Sequence, residues 1–307
     1  MKPRTAFRIF LVVTTALALG AVTSPVAHAA VPRCLGVKAT IVGTARADVI
    51  KGTARADVIV GLGGSDTIKG LGGNDRICGG PGKDTLVGGA GYDVLFGDIG
   101  NDVLGGGAGD DVLLGGSGND AFNGGLGIGD LASFFFASAG VQVDLSAGTA
   151  TGEGTDTLTG IEDLEGSRYD DTLTGDDGLN YILPGEGNDA VDGGGGLNDW
   201  VDYFYSASAV VVDLTAGSAT GQGTDTLTGI EEVYGSQHND TITGDAGPNA
   251  LLGGAGDDTI SGAAGDDTLD GGDGNDTLDG GDGTDTVDGG AGTDTCVNGE
   301  DVSNCEA

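Results

Sequence analysis

The chain has 307 residues, 65 of them glycine, and a net charge of −36 from 48 acidic against 12 basic side chains. So acidic a chain excludes nucleic acid and anionic membrane as partners and favours multivalent cations. Abundant glycine, few aromatics and high charge would leave it disordered, unless the sequence is periodic and something neutralises the carboxylates.

Residues 1–29 read as a cleaved secretory signal. Lys2, Arg4 and Arg8 make a basic start, Ile9 to Val22 an apolar run, and Ala27-His28-Ala29 a small-x-small cleavage site. The alternative, a membrane anchor, needs ~20 apolar residues, more than this uninterrupted run supplies. No second apolar segment follows, so the mature chain is expected to be secreted and extracellular, with no stable membrane insertion.

Four cysteines suit an oxidising compartment and allow three pairings. The expected pairs are Cys34–Cys78 and Cys296–Cys305, each pinning one end of the repeat region. Free or metal-binding thiols are the alternative. Residues 30–42 are expected to form an N-terminal cap, in which residues 34–42 make a degenerate step with Ile41 facing inward.

From Gly43 the chain advances in steps of nine. Every step opens with Gly, from Gly43, Gly52 and Gly61 to Gly115, and carries Asp sixth, from Asp48, Asp57 and Asp66 to Asp120. The eighth residue is large and apolar, from Ile50 to Phe122, and from the third step the fourth is Gly. One apolar residue cannot offset the entropy of ordering nine, so the steps must stack on one another. The x-U-x end suits a short strand with U inward and its neighbours outward, and the glycine half suits a tight turn. Strand plus turn, repeated, predicts an all-β parallel β-solenoid.

The consensus G-G-x-G-x-D-x-U-x resembles the nonapeptide repeat of RTX (haemolysin-type) calcium-binding proteins. The resemblance implies a right-handed β-roll with two nonads per coil, and multiple calcium ions as cofactor. Many RTX proteins leave through an uncleaved C-terminal signal. The N-terminal signal here suggests the general secretion route instead. Steps one and two (GTARADVIK, GTARADVIV) place Arg46 and Arg55 where Gly belongs. They are expected to bind calcium weakly or not at all, with a guanidinium standing in for the cation.

After Asn123 the period breaks. Residues 130–165 form a β-rich insert containing Phe134-Phe135-Phe136, and residues 199–234 repeat it: Val143-Asp144-Leu145 matches Val212-Asp213-Leu214, and Gly160-Ile161-Glu162 matches Gly229-Ile230-Glu231. The expected organisation is a first nonad block over 43–129, a second over 166–198 and a third over 235–307. The alternating apolar residues suggest that the inserts are wider coils of the same solenoid, with a hairpin packed on its side as the alternative. The aromatic clusters, including Trp200, Tyr203, Phe204 and Tyr205, are expected to fill a wider core. Sugar binding is the other reading.

The candidate metal ligands are the sixth-position aspartates. They are Asp66, Asp75, Asp84, Asp93, Asp102, Asp111 and Asp120 in the first block, Asp171 and Asp189 in the second, and Asp240, Asp258, Asp267, Asp276, Asp285 and Asp294 in the third. Asn180 and Asn249 lack the charge, and sites there should be weaker. Adjacent parallel strands lie ~4.8 Å apart, so stacked carboxylates repel. Calcium takes oxygens at roughly 2.3–2.6 Å and fits between neighbouring turns, with turn carbonyls completing its ligands by the family resemblance. The calcium-free chain is then expected to be largely disordered, and interior aspartates such as Asp93 to matter more than Asp48.

HExxH, GxSxG and a Walker A sequence are missing, and the mature chain keeps only His238. No catalytic residue is assigned. The leading reading is a secreted calcium-binding repeat protein with a structural or interaction role and no catalysis. The alternatives are an adhesin or surface-binding module recognising glycan or ice, and a polysaccharide-acting enzyme using a carboxylate pair. Thr67, Thr85 and Thr277 do not make the unbroken threonine ladder that an ice-binding face needs. The protein or glycan partner is not encoded in any motif.

Overall fold

The computed structural model describes residues 32–305; the signal expected at 1–29 lies outside the described residues. All regular secondary structure among the described residues is β. The chain divides into two compact units that interleave within the first insert. One comprises residues 32–137 and Ala147–Asp163, the other Ser138–Ser146 and residues 164–305.

In the first unit two parallel ladders are built from alternate nonads. One runs Val49–Lys51, Thr67–Gly72, Thr85–Ala90, Val103–Ala108, Ala121–Leu126 and Thr155–Thr159; the other runs Ile41–Val42, Val58–Val60, Arg76–Cys78, Val94–Ile99, Val112–Ser117 and Leu131–Ser133. Ile50 pairs with Ile68, Ile68 with Leu86, Leu86 with Leu104, and Leu104 with Phe122. Each partner is two steps on, so a coil consists of two nonads, and the fold is a parallel β-solenoid. The eighth-position side chains Ile59, Ile68, Ile77, Leu86, Leu95, Leu104 and Leu113 have no exposed surface. Burying them between the ladders supplies the hydrophobic stabilisation that one nonad lacks.

One expectation about facing needs correction. The residues flanking U were expected to point into solvent, but on the second ladder Val60, Val94, Val112, Leu114 and Leu131 are buried as well. They form an outer apolar cluster with Cys34, Leu35, Ala39 and Cys78, because the segment from Arg33 to Ala39 folds against that face. The Cys34–Cys78 disulfide fastens it there.

The second unit repeats the two-ladder plan. Ile182, Val201, Val233, Leu251, Leu269, Val287 and Val302 are all ladder residues on one side, and Val212, Ile242, Ile260, Leu278 and Cys296 follow in register on the other. Its insert lies within the ladder, as a wider coil would, and not as a hairpin packed on its side. Thr224–Thr228 joins the ladder in parallel to Ala190–Asp192, then Ser218–Thr220 and Val211–Asp213 add antiparallel, and Val211–Asp213 resumes the parallel ladder at Thr241–Thr243. The insert is therefore a coil that carries its own antiparallel meander within the ladder. Buried Trp200 stacks on Tyr181 with ring centroids 6.1 Å apart, and Tyr203 is 1% exposed. In the first unit Phe134 is buried against Phe122. Phe134 and Tyr203 fill the interior, but Tyr181 and Trp200 flank the inward Ile182 and Val201 and stack on the outer face of their ladder. Phe135, Phe204 and Tyr205 are half-buried and Phe136 is exposed, so the clusters fill a wider core only in part.

The Cys296–Cys305 disulfide closes the end. The nine-residue period counted on from Cys296 places Cys305 at an inward ladder position, but Val302 holds that place opposite Val287. The last coil is short: Asp285 meets Glu300, 15 residues on, instead of a residue 18 on.

Candidate metal centre

Within each block the sixth-position side chains stand in two files, each residue one coil from the next. The Asp84 N–H donates to Asp102 Oδ1 at 2.7 Å, and Asp102 N–H to Asp120 Oδ1 at 2.7 Å. On the opposite side Asp75 N–H donates to Asp93 and Asp93 N–H to Asp111, both at 2.8 Å. In the third block the same bond links Asp240 to Asp258, Asp258 to Asp276, Asp276 to Asp294 and Asp267 to Asp285. Asp171 N–H reaches Asp189 likewise. Every candidate is buried, at 3% exposure or less.

Oδ1 is thus used to cap the backbone of the coil behind. Oδ2 is not used. In Asp66, Asp75, Asp84, Asp93, Asp102, Asp111, Asp120, Asp189, Asp258, Asp267, Asp276 and Asp285 it is buried with no hydrogen-bond partner. An unpaired buried carboxylate oxygen is costly. Its surroundings add no donor. A methyl group placed on Gly97 would lie 2.5 Å from Asp102 Oδ2 and 2.5 Å from the Gly115 carbonyl oxygen. Two acceptors therefore converge over the glycine that opens the step, and any side chain there would collide with both.

Burial pushes these carboxyls up, to about 7 for Asp102, Asp111, Asp189 and Asp258 and to about 6 for Asp93, Asp120 and Asp267. The N–H of the preceding coil opposes the rise, and neighbouring carboxylates add to it. The files carry negative charge that protein donors only half satisfy. Among the described residues no three His, Cys, Asp or Glu side chains group as a metal site. Calcium takes six to eight oxygens, and turn carbonyl oxygens converge beside bare Oδ2 atoms such as that of Asp102.

The files contain members that the nine-residue reading missed. Asp130 accepts from Asp111 N–H, and Asp199 from Asn180 N–H, each 19 residues on. One extra residue in Gly124–Asp130 and in Gly193–Asp199 hid them. Asp156 and Asp225 accept from Asp120 and Asp189 across the inserts; Gly154-Thr155-Asp156-Thr157-Leu158 and its copy from Gly223 to Leu227 are the second half of a nonad, a signal visible in the sequence. Glu162, Glu231 and Glu300 accept from Asp130, Asp199 and Asp285 and end their files. Asp225 Oδ2 is satisfied by the Tyr203 hydroxyl at 2.9 Å.

A family model for the RTX calcium-binding nonapeptide repeat (four copies) matches residues 42–77, 79–113, 97–131, 156–191, 165–199, 234–269 and 261–296. The chain belongs to the RTX calcium-binding nonapeptide-repeat family. The matches cover most of this RTX chain and include all fifteen candidate aspartates. No curated protein sequence matches it. Among the described residues of the RTX chain no helix is long and apolar enough to cross a membrane.

Not all RTX steps are alike here. In Asp171 and Asp240 both carboxylate oxygens have donors. Ser167 N–H and Oγ donate to Asp171 at 2.5 and 2.8 Å, and Val141 N–H adds a third bond at 2.7 Å. Ser236 and Val210 do the same for Asp240. Asp48 and Asp57 are met by Thr44 and Thr53. The expected Arg46 and Arg55 contribute their backbone N–H to the threonine hydroxyls instead. On the outer surface Thr241, Thr259, Thr277 and Thr295 stack in register and are exposed. The neighbouring row, Thr243, Ser261, Asp279 and Val297, is not a threonine ladder.

Proposed function

We propose that the protein is a secreted calcium-binding RTX protein that folds on calcium and serves a structural or interaction role without catalysis. The observation that carries this reading is the files of buried aspartates whose Oδ2 atoms lack a donor and lie beside backbone carbonyls. The residues that would hold the ions are Asp66, Asp75, Asp84, Asp93, Asp102, Asp111 and Asp120, then Asp189, and Asp258, Asp267, Asp276, Asp285 and Asp294, with turn carbonyls. Asp171 and Asp240, already satisfied by serines, fit least. A bound calcium supplies divalent charge at the point where carboxylate and carbonyl oxygens converge. The chain's own part is to hold those oxygens close. Oδ1 is fixed by the N–H of the preceding coil, and glycine leaves the space above it open.

Extended files of this kind give rigidity to an extracellular chain and offer no distinct catalytic pair. Calorimetric titration of calcium into the chelator-stripped full-length protein tests the binding. Saturable uptake of several ions is expected, and no heat or uptake at millimolar calcium overturns the reading. Calcium-dependent turnover of a uronate polymer, lost on substituting one carboxylate, would replace it with the enzymatic alternative.

A further inference from the structure

The steps of the repeat blocks fall into two kinds, and the second residue of the step separates them. In most steps that residue is left-handed: Gly89 at φ 124°, Gly107 at 123°, Gly254 at 105°, and also the non-glycines Leu62 at 84°, Leu71 at 85°, Asp98 at 82° and Ala263 at 72°. L-residues adopt this region at a cost. Where it is adopted, the orphaned Oδ2 follows in Asp66, Asp75, Asp93, Asp102, Asp111, Asp258 and Asp267.

In the remaining steps the second residue is Thr44, Thr53, Ser167, Asp176, Ser236 or Asp245, and none of these has positive φ. Each turns its backbone N–H onto the sixth-position side chain: Thr44 to Asp48 at 2.6 Å, Thr53 to Asp57 at 2.7 Å, Ser167 to Asp171 at 2.5 Å, Ser236 to Asp240, and Asp176 and Asp245 to the amide oxygens of Asn180 and Asn249, both at 2.8 Å. Each side chain also accepts the N–H two residues on, as in His238 to Ser236 Oγ at 3.0 Å and Gly247 to Asp245 Oδ1 at 2.7 Å. The turn is closed by serine, threonine or aspartate acting on its own backbone.

These six steps are the first two of each block, and two consecutive steps make one coil. We propose that every block opens with a metal-free coil, whose turns are closed by its own side chains and onto which the calcium-dependent coils are laid. This rests on calcium filling the other steps. It assigns Ser167, Ser236, Thr44 and Thr53 as the residues that keep the ion out. At Asp171 and Asp240 three donors occupy both carboxylate oxygens. At Asp48 and Asp57 two donors take Oδ2, the oxygen left bare in the other steps, and at Asn180 and Asn249 an amide replaces the carboxylate.

The test counts calcium bound to the full-length protein at saturation, by equilibrium dialysis with elemental analysis, alongside melting temperature in chelator and in calcium. Asp240→Asn and Asp171→Asn should leave the count unchanged, whereas Asp258→Asn should lower it. The pair Asp245→Gly with Asn249→Asp turns GDAGPNALL into a full consensus nonad and should raise the count by about one ion per chain. Loss of ions in D240N equal to that in D258N, or no gain in the double variant while it still melts cooperatively in calcium, would overturn the proposal. Absence of calcium from the unsubstituted protein would instead overturn the function proposed above.

Discussion

Asp84 donates its backbone N–H to Asp102 Oδ1 at 2.7 Å, one coil on, while Oδ2 of both residues is buried without a partner. One bond organises the turn, and one oxygen is left for something the protein's own donors do not provide. This division makes the effect of neutralising an aspartate depend on whether calcium is present.

Asp93→Asn should therefore change sign with conditions. In calcium it removes the charge that meets the ion and should lower stability by about 1.5–3 kcal/mol. In chelator it relieves a buried, uncompensated carboxylate and should raise the melting temperature of whatever remains folded. Asp48→Asn weakens its bonds from Thr44 by about 0.5–1.5 kcal/mol in either condition. Paired melts with and without calcium check the reversal.

Acid should partly stand in for the metal. Asp93 and Asp120 are raised to about 6 and Asp102, Asp111 and Asp258 to about 7, above the ordinary 3.8. A folded-state value raised above the unfolded one means that the metal-free fold takes up protons. Its stability contribution is present below the unfolded value and is lost as pH rises through the 6–7 window. In calcium-free buffer the β signal should be stronger at about pH 5 than at about pH 8. Equal signals at both, by circular dichroism, would count against buried carboxylates as the cause.

Glycine positions should differ sharply in tolerance. A methyl at Gly97 would meet Asp102 Oδ2 and the Gly115 carbonyl oxygen at 2.5 Å each; the carbonyl is backbone, and the Asp102 carboxylate is held by the Asp84 N–H. At Gly105 the nearest atom is 3.9 Å away, with no positive φ. Gly97→Ala should cost about 1–3 kcal/mol or more through overpacking, and Gly105→Ala should be near neutral. Chemical unfolding in saturating calcium measures both.

The two disulfides close loops of different size, with separations of 44 and 9 residues. On loop entropy alone, losing Cys34–Cys78 costs about 4 kcal/mol and losing Cys296–Cys305 about 2.5 kcal/mol. The first loss should also release the apolar cover over Val60 and Val94. Serine pairs at each site, followed by hydrogen exchange, should show fraying at the corresponding end only.

Much of this was legible because a solenoid repeats its rule. The nine-residue period assigned the inward file from Ile50 to Phe122 and the stacked aspartates directly, since each residue's neighbour is a copy of itself. What escaped depended on departures from the period. Asp130 and Asp199 were hidden by one inserted residue, and Val302 displaced Cys305 because the last coil is short. The outer burial of Val94 and Val112 depends on a segment outside the repeat. The roles of Ser167 and Ser236 lay in backbone φ, which a consensus written in residue types does not display. Arg46 and Arg55 drew attention by their charge, yet the neighbouring Thr44 and Thr53 do the work through N–H and hydroxyl.

The central claim is that calcium is the folding cofactor of these coils. Circular dichroism of the full-length protein, stripped with excess chelator at neutral pH and then titrated with calcium while its melting is followed, tests it most directly. The account predicts a largely unstructured spectrum in chelator. The β signal and a cooperative melt should return on addition, with a midpoint on the order of 10⁻⁴–10⁻³ M. A chelated protein that keeps its β signal and its melting temperature would contradict it.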